Sequence, residues 1–297
     1  MKLPYYLMDV FTRDRLSGNP LAVVLKADGL STARMQALAG EFNLSETVFV
    51  RSPEVARHNA RLCIFTPTTE LPFAGHPTIG ASVLLGLTTR VSAVRLELEI
   101  GSITAVFERV DKRTGLARIG LPRLPERISD GPGAEEIAAR LGLAPEQIGC
   151  GPIKPAQFSA GVPFYLVPVR DPAALRDIAL QRRGWSETFP GKHGAVYAFT
   201  ATPDERGNDY AARMFGAGLG IGEDAGTGAA AAALIGLLAE QAEMGDGHHN
   251  LKLRQGWEMG RPSLIELQVN IAGGKLQHGG IGGAAVVLAE GMIDLSE

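Results

Sequence analysis

Hydrophobic and polar residues alternate along most of the chain, which is typical of half-buried β-strands. The alternation predicts strands at residues 5–12, 21–25, 47–51, 61–65, 94–100, 103–108, 116–121, 163–169, 195–200 and 210–215. Helical spacing predicts helices at residues 32–42, near 135–141 and at 172–180. Strands therefore outnumber helices, and the pattern indicates a sheet-based α+β protein.

Two further segments are apolar on every side and rich in glycine and alanine. They cover residues 78–87 and 229–240, and each predicts a helix that other elements can approach closely from all directions. One such helix falls in each half of the chain. We therefore expect two similar halves, each a curled antiparallel or mixed sheet around a central helix.

The chain also shows signs of an internal duplication. Arg61 precedes Gly75 by 14 residues, and Arg213 precedes Gly226 by 13 residues, each in a strand, loop and buried-helix sequence. Residues 122–133 are rich in proline and glycine and predict a linker. The expected halves are residues 1–122, with a C-terminal strand at about 283–297 returning to them, and residues 130–282.

Composition excludes several classes of function. The net charge of -3 offers nucleic acid no basic footprint, and residues 229–239, the longest apolar stretch, are too short to span a bilayer. The N-terminus lacks the apolar run of a signal peptide, and two cysteines exclude both a disulfide framework and a cysteine metal cage. A cytoplasmic protein without a metal, a membrane partner or a nucleic-acid partner is expected.

Three ionisable residues lie at junctions next to strand or helix starts, namely Glu46, His76 and Asp224. A helix start offers unpaired N–H groups and a positive dipole end, so the two apolar helices predict an anion-binding pocket. Each residue also has a structural interpretation: a solvated glutamate, a loop histidine or a capping aspartate. Together they are the groups that proton abstraction and return require.

Other catalytic arrangements fit the sequence poorly. Ser45 with His76 and Asp224 lacks the Gly-x-Ser-x-Gly elbow of a nucleophilic triad. The glycine run at residues 216–228 matches neither the dinucleotide fingerprint nor a P-loop.

Several short motifs of the chain closely resemble those of the phenazine-biosynthesis isomerase-like family, which shares the fold of diaminopimelate epimerase. The resemblance is carried by Asp9-Val10-Phe11-Thr12, Gly18-Asn19-Pro20, Asn43-Leu44-Ser45-Glu46-Thr47, Phe65-Thr66-Pro67, Glu70-Leu71-Pro72-Phe73-Ala74-Gly75-His76-Pro77-Thr78, Glu223-Asp224 with Thr227-Gly228, Gln255-Gly256, and Met259-Gly260-Arg261-Pro262-Ser263. These ordered motifs extend over nearly the whole chain.

The resemblance implies two similar halves with an active site in the cleft between them, a homodimer, and neither metal nor organic cofactor. It implies that Glu46 removes a proton from carbon and helps return it elsewhere, assisted by His76 and Asp224. A small anionic metabolite is the implied partner. The implied substrate-binding residues are Asn19, Ser45, Gly75, Pro77, Thr78, Thr227, Gly228 and Ala229.

Two departures from related patterns narrow the expected function. The family's usual Asp-Pro-x-Thr-Gly-Ser run ends here in Ala229, so a hydroxyl donor of the phenazine enzyme is missing and a different substrate is expected. Cys63 and Cys150 lie away from both helix starts, which disfavours the two-cysteine chemistry of the epimerase.

The expected function is a cofactor-independent isomerase of a small carboxylate-bearing metabolite, similar to trans-2,3-dihydro-3-hydroxyanthranilate isomerase. The alternatives are a non-catalytic binding or regulatory member of the family and an amino-acid epimerase.

Overall fold

The computed structural model describes residues 1–191, 194–202, 209–216 and 222–296. The chain divides into two compact units. Unit 1 comprises Met1–Pro122 and Gly282–Glu297, and unit 2 comprises Arg123–Ile281. Among the described residues, no helix is long and apolar enough to cross a membrane.

Unit 1 contains eight strands and two α-helices, together with the end of a long C-terminal strand. The strands are β1 (Lys2–Val10), β2 (Asn19–Val24), β3 (Glu46–Arg51), β4 (Ala60–Phe65), β5 (Glu70–Leu71), β6 (Ala93–Leu98), β7 (Gly101–Arg109) and β8 (Thr114–Gly120). The helices are α1 (Thr32–Phe42) and α2 (Gly75–Thr89). Helix α1 has the predicted bounds, and it buries Met35 and Ala39 as its spacing predicts.

The strands of unit 1 pair in a mixed order. Strand β2 is antiparallel to β1 and parallel to β3, and β4 is antiparallel to both β3 and β5. Strand β6 then runs parallel to β4 and antiparallel to β7, which is antiparallel to β8. The parallel pairs require crossovers, and α1 and α2 lie in those two crossovers.

Helix α2 is buried along 12 of its residues, Gly75 to Gly86, and packs against β1, β2, β3, β6, β7 and β8. Glycines allow this close approach. A Cβ on Gly80 would lie 2.9 Å from Val10 Cγ2 and closer still to Leu21, and a Cβ on Gly86 would overlap the ring of Phe107. The small residues of the predicted helix are therefore contact points with the sheet.

Unit 2 carries the remaining elements. The strands are β9 (Glu126–Asp130), β10 (Ala156–Ser159), β11 (Pro163–Pro168), β12 (Val196–Ala201), β13 (Tyr210–Phe215), β14 (Glu223–Asp224), β15 (Gly247–Gln255) and β16 (Ser263–Ala272), followed by β17 (Lys275–Asp294), which continues into unit 1. The helices are α3 (Ala134–Leu141), α4 (Pro172–Arg176), α5 (Trp185–Thr188) and α6 (Gly228–Gln241).

The pairing order of unit 1 recurs in unit 2. Strand β11 is antiparallel to β10 and parallel to β12, and β13 is antiparallel to β12 and β14. Strand β15 is parallel to β13 and antiparallel to β16, as β6 is to β4 and β7. In chain order, helix α6 lies between β14 and β15, as α2 lies between β5 and β6 in unit 1. It packs against β9, β10, β11 and β16.

Several local predictions differ from the structure. Strand β9 lies within the predicted linker 122–133; all five of its residues are exposed, so it carries no hydrophobic alternation. The predicted helix 172–180 ends at Arg176, because Arg213 Nη1 donates to the carbonyl oxygens of Leu175, Arg176 and Ile178 there. Helix α2 begins at Gly75, three residues before its predicted start, so His76 lies inside the first turn. The prediction of a strand-dominated α+β fold is confirmed.

Candidate active site

Two strands of unit 1 begin with the polar residues Asn19 and Glu46. Asn19 is the first residue of β2 and Glu46 the first of β3, and these strands are parallel with Leu21 opposite Glu46. Parallel strands place their first residues at the same edge of a sheet. The side-chain amide of Asn19 and the carboxylate of Glu46 therefore lie at the same edge of the sheet.

Helix α2 brings His76 to the same edge. Gly80 contacts Val10 and Leu21, and His76 lies one turn earlier on the same face of the helix. Asn19 is two residues before Leu21, on the same face of β2. The contact at Gly80 thus sets how closely His76 approaches Asn19.

Glu46, His76 and Asn19 form a compact cluster. His76 Nδ1 is 3.3 Å from Glu46 Oε2 and 3.4 Å from Asn19 Nδ2. A ring nitrogen that donates its hydrogen to Glu46 cannot at the same time accept one from the Asn19 amide. The two contacts therefore suit two proton states: one with the proton on His76 Nδ1, and one in which Nδ1 accepts from Asn19.

The exposure of the pair is unequal. The side chain of Glu46 is 14% exposed and that of His76 is 3% exposed. Of the two, the carboxylate is the group that an external molecule reaches more readily. His76 lies behind it, in position to orient the carboxylate and exchange a proton with it.

The start of α2 is built from Ala74 to Thr78. Ala74 precedes the helix in an extended conformation and has no capping side chain, and Pro77 has no N–H. Thr78 donates both its hydroxyl (2.8 Å) and its N–H (3.3 Å) to the Ala74 carbonyl. The capacity of this turn to bind an anion therefore rests on the N–H groups of Gly75 and His76.

The start of α6 in unit 2 holds Asp224 in a buried hydrogen-bond network. Thr227 Oγ1 donates to Asp224 Oδ2 at 2.6 Å, and the Thr227 N–H donates to Gln255 Oε1 at 3.0 Å. Gln255 Nε2 donates to the Asp224 carbonyl at 2.8 Å and to Thr227 Oγ1 at 3.0 Å. Tyr197 donates its hydroxyl to Gln255 Oε1 at 2.8 Å. All four side chains are buried.

Burial raises the pKa of Tyr197 well above its ordinary value, and the nearby charge of Asp224 raises it further. The phenol therefore stays protonated and remains a hydrogen-bond donor to Gln255. Tyr197 is a fixed end of the network.

Arg213 anchors the short strand that carries Asp224. Its Nε and Nη2 each donate to a carboxylate oxygen of Glu223 at 2.8 Å, a bidentate pair, and its guanidinium stacks 5.0 Å from the ring centre of Phe215. Glu223 is the residue before Asp224. This pairing fixes the backbone that positions the aspartate.

The structure thus brings together Glu46, His76 and Asn19 in unit 1, and Asp224 with Thr227 in unit 2. Ser45 is half-buried beside Glu46, and Gly228 and Ala229 are the first residues of α6. That the two clusters line one cleft stays a prediction, as do the individual substrate-binding roles.

Cys63 is buried in β4 and Cys150 lies in a turn beside Ile153, so neither is at a helix start. Burial raises the pKa of Cys63, which disfavours its thiolate. The described residues contain no group of three His, Cys, Asp or Glu side chains that could hold a metal ion.

The sequence patterns give no role to Tyr197 and include Gln255 only in a family motif. Tyr197 lies in an apolar strand, where a hydroxyl gives no periodic signal. The signal in the sequence is the glycine directly after Gln255, because glycine often marks a close approach of the backbone. In the structure Gly256 has a positive φ of 79° and lies close to neighbouring backbone.

Comparisons with known proteins identify the family of this chain. The family model "Phenazine biosynthesis-like protein" matches residues 8–291. An uncharacterized isomerase of Mesorhizobium japonicum is 42% identical over 296 residues, covering 97% of this chain and 98% of that protein. Trans-2,3-dihydro-3-hydroxyanthranilate isomerase of Pseudomonas aeruginosa is 34% identical over 290 residues, covering 97% of this chain and 98% of that protein.

The fold is also found in a solved structure. The crystal structure of a phenazine biosynthesis protein of the PhzF family from Bacillus anthracis superposes with a TM-score of 0.88, covering 99% of this chain and all of that one at 24% identity. The family predicted from the motifs is therefore confirmed, and so is the prediction of an isomerase. The chain belongs to the phenazine biosynthesis-like family and is one of its isomerases.

Proposed function

We propose that this isomerase moves a proton between two carbon atoms of a small carboxylate-bearing metabolite without a resident cofactor, and that Glu46 carries the proton. The observation that carries the proposal is the contact of Glu46 Oε2 with His76 Nδ1 at 3.3 Å, at the start of a buried helix. The name of the Pseudomonas aeruginosa relative supports the substrate class.

The proposed reaction conserves atoms and electrons. The Glu46 carboxylate removes a proton from a carbon next to a C=C bond, and the C–H electron pair shifts into the π system. The Glu46 carboxyl then returns a proton to a carbon further along that system. One C–H bond breaks and one forms, so no oxidant or reductant is required.

The cluster around Glu46 suits this cycle. When Glu46 is ionised, a proton on His76 Nδ1 faces Glu46 Oε2; when the other oxygen of Glu46 has taken the substrate proton, the same N–H still faces Oε2, so His76 neither gains nor loses a proton. His76 therefore has a partner in both states, which limits the cost of moving the proton. We infer that Asn19 and His76 position Glu46 through the cycle.

The helix starts supply the electrostatic part of the proposal. The N–H groups of Gly75 and His76 at α2, and those of Gly228 and Ala229 at α6, suit a carboxylate or an enolate oxygen. Asp224 is proposed to assist proton handling, and Ser45 to contact substrate beside Glu46. Because Ala229 offers no hydroxyl, we propose a substrate other than that of the Pseudomonas aeruginosa relative.

Deuterium wash-in tests the proposal. The protein is incubated in D2O with trans-2,3-dihydro-3-hydroxyanthranilate, cyclohex-2-ene-1-carboxylate and L-proline, and carbon-bound deuterium is measured by mass spectrometry and NMR. General acid–base catalysis contributes roughly 10²–10⁴-fold, so Glu46→Gln should lose exchange by about that factor. Glu41→Gln, the same change on the exposed face of α1, is the matched control and should exchange at the wild-type rate.

The outcomes separate the alternatives. Undiminished exchange in Glu46→Gln would disprove the role of Glu46. Saturable binding without exchange by the wild type would favour a binding or regulatory protein. Exchange with loss of optical rotation in L-proline would indicate an amino-acid epimerase instead.

We also propose the finer features that the family resemblance implies. The recurring pairing order and the two buried helices support two copies of one plan, each a sheet curled around its helix. A homodimer in the cytoplasm, with no nucleic-acid or membrane partner, completes the proposal. Sedimentation velocity tests the oligomeric state.

A further inference from the structure

We propose that Gln255, supported by Tyr197, is a positioning residue that acts through Thr227 to fix the Asp224 carboxylate and the start of α6. The inference rests on the proposed function, since the value of a fixed carboxylate lies in proton transfer. None of the groups in this network needs to contact substrate for the role, apart from Asp224 itself.

The hydrogen bonds around Gln255 have only one possible direction. The backbone N–H of Thr227 can only donate, so the atom facing it at 3.0 Å is the amide oxygen. The backbone carbonyl of Asp224 can only accept, so the atom facing it at 2.8 Å is the amide nitrogen. A flipped Gln255 amide would face donor with donor and acceptor with acceptor.

The fixed orientation of the Gln255 amide in turn orients the Thr227 hydroxyl toward Asp224. Thr227 Oγ1 accepts a hydrogen from Gln255 Nε2 at 3.0 Å, and its own single hydrogen is donated to Asp224 Oδ2 at 2.6 Å. A short bond to a carboxylate oxygen is among the stronger hydrogen bonds in proteins. The carboxylate oxygen is therefore held in one orientation by a hydroxyl that is itself oriented.

The backbone at Gly256, next to Gln255, packs closely against Ala225, the residue that follows Asp224. Gly256 has φ 79°, and a Cβ there would lie 2.5 Å from the Ala225 carbonyl oxygen and closer to that of Arg261. The Arg261 N–H closes the turn by donating to the Gly256 carbonyl at 2.9 Å. The segment from Gln255 thus contacts the loop through both side chain and backbone, and Tyr197 holds the amide from the other side.

Substitutions at Thr227 separate hydrogen bonding from packing. Thr227→Val keeps the shape and removes the hydroxyl, whereas Thr227→Ser keeps the hydroxyl. With the wash-in probes named above, Thr227→Val and Gln255→Met should lower kcat roughly 10- to 100-fold, with KM changed less than about threefold. Thr227→Ser should keep a kcat at least about fivefold above that of Thr227→Val. Thr200→Val, at another buried threonine of unit 2, is the control for the Thr→Val change itself.

An NMR measurement on the substrate-free protein tests the network independently of turnover. In the wild type the Thr227 amide and the Gln255 side-chain amide should exchange slowly with solvent. In Gln255→Met the Thr227 amide should exchange at least about tenfold faster. If Gln255→Met does not fold, Tyr197→Phe takes its place, with a smaller loss of kcat and faster exchange of the Gln255 side-chain amide.

Equal kcat in Thr227→Val and Thr227→Ser would overturn the inference, because a packing role survives both changes. An unchanged Thr227 amide in Gln255→Met, or an unchanged Gln255 side-chain amide in Tyr197→Phe where that variant is used, would overturn it as well. If the wild type exchanges deuterium into none of the probes, the proposed function fails while the amide measurement still decides whether Gln255 positions the helix start.

Discussion

The close contact of Gly80 with β1 and β2 predicts that a single methyl group will disturb both stability and catalysis. In Gly80→Ala the new Cβ would lie 2.9 Å from Val10 Cγ2 and nearer to Leu21, while carbon atoms normally pack at roughly 3.5–4.0 Å. Val10 and Leu21 are fully buried, and protein interiors are closely packed. The new methyl group must displace these side chains or the helix, and we expect α2 to shift and His76 to move with it.

The expected magnitude follows from two opposing terms. Alanine in a helix interior is favoured over glycine by about 1 kcal/mol, and overpacking a core costs about 1–3 kcal/mol. The free energy of unfolding should thus fall by about 1 kcal/mol. Gly40→Ala on α1 is the matched control: its Cβ would meet only the Pro67 carbonyl oxygen at 3.7 Å, so we expect a stabilisation of about 1 kcal/mol.

Urea unfolding of the two variants, with wash-in kinetics on each, tests this reasoning. A shift of about 1 Å at a catalytic group can lower the rate about 10²-fold. Gly80→Ala should therefore lower the exchange rate by about that factor while the protein stays folded. Leu21→Ala creates room, so the double variant should be more stable than the sum of the single changes predicts. The reasoning is refuted if Gly80→Ala stabilises the protein as Gly40→Ala does, or if the double variant is additive.

Three further predictions concern stability and reactivity. Arg213→Met should lower the free energy of unfolding by about 3–5 kcal/mol because it leaves the Glu223 carboxylate unpaired. Arg61→Met, at the matching place in unit 1, breaks only an exposed ion pair and should lower the free energy of unfolding by less than about 1 kcal/mol. Urea unfolding measures both changes. Hydrogen bonds from the backbone N–H groups of Glu54 and Val55, and then from His58, lower the pKa of Glu97 from 4.5 to about 2. Its stabilising contribution is therefore fully present above pH 4.5 and is lost as the pH falls through 2. The urea midpoints of wild type and Glu97→Gln should approach each other as the pH is lowered from 6 to 3, and an unchanged difference would contradict this. The buried Cys63, whose pKa burial raises, should react with a disulfide reagent more slowly than Cys150, and equal rates in the folded protein would contradict its burial.

Local patterns predicted most of the elements because the relevant interactions are local. Helix α1 has an amphipathic face and the serine cap Ser31, and its bounds match the prediction. The buried helices α2 and α6 were recognisable because they are apolar on all sides. Strand β9 could not be recognised, since neither of its faces is buried and its pairing with β10 depends on residues 26 or more positions away.

The candidate site was predictable only in part, for the same physical reason. Glu46, His76 and Asp224 lie at element junctions, which periodicity can locate. Their partners cannot be located in this way: Gln255 reaches Thr227 across 28 residues and Tyr197 across 58. These contacts exist because β13 pairs with both β12 and β15, a topology that no local pattern encodes.

The carboxylates near the two helix starts are held in different ways, and this difference supports different proposed roles for Glu46 and Asp224. In unit 1 the carboxylate comes from a strand start, is 14% exposed, and faces a histidine that can share its proton. In unit 2 the carboxylate comes from the end of the short strand β14, is buried, and is held by a hydroxyl that Gln255 orients. A group that must take and return a proton needs access and a partner in both proton states, whereas a group that sets the local field needs a fixed position. We therefore propose that Glu46 moves the proton and that Asp224, held in place, assists its transfer through its fixed charge.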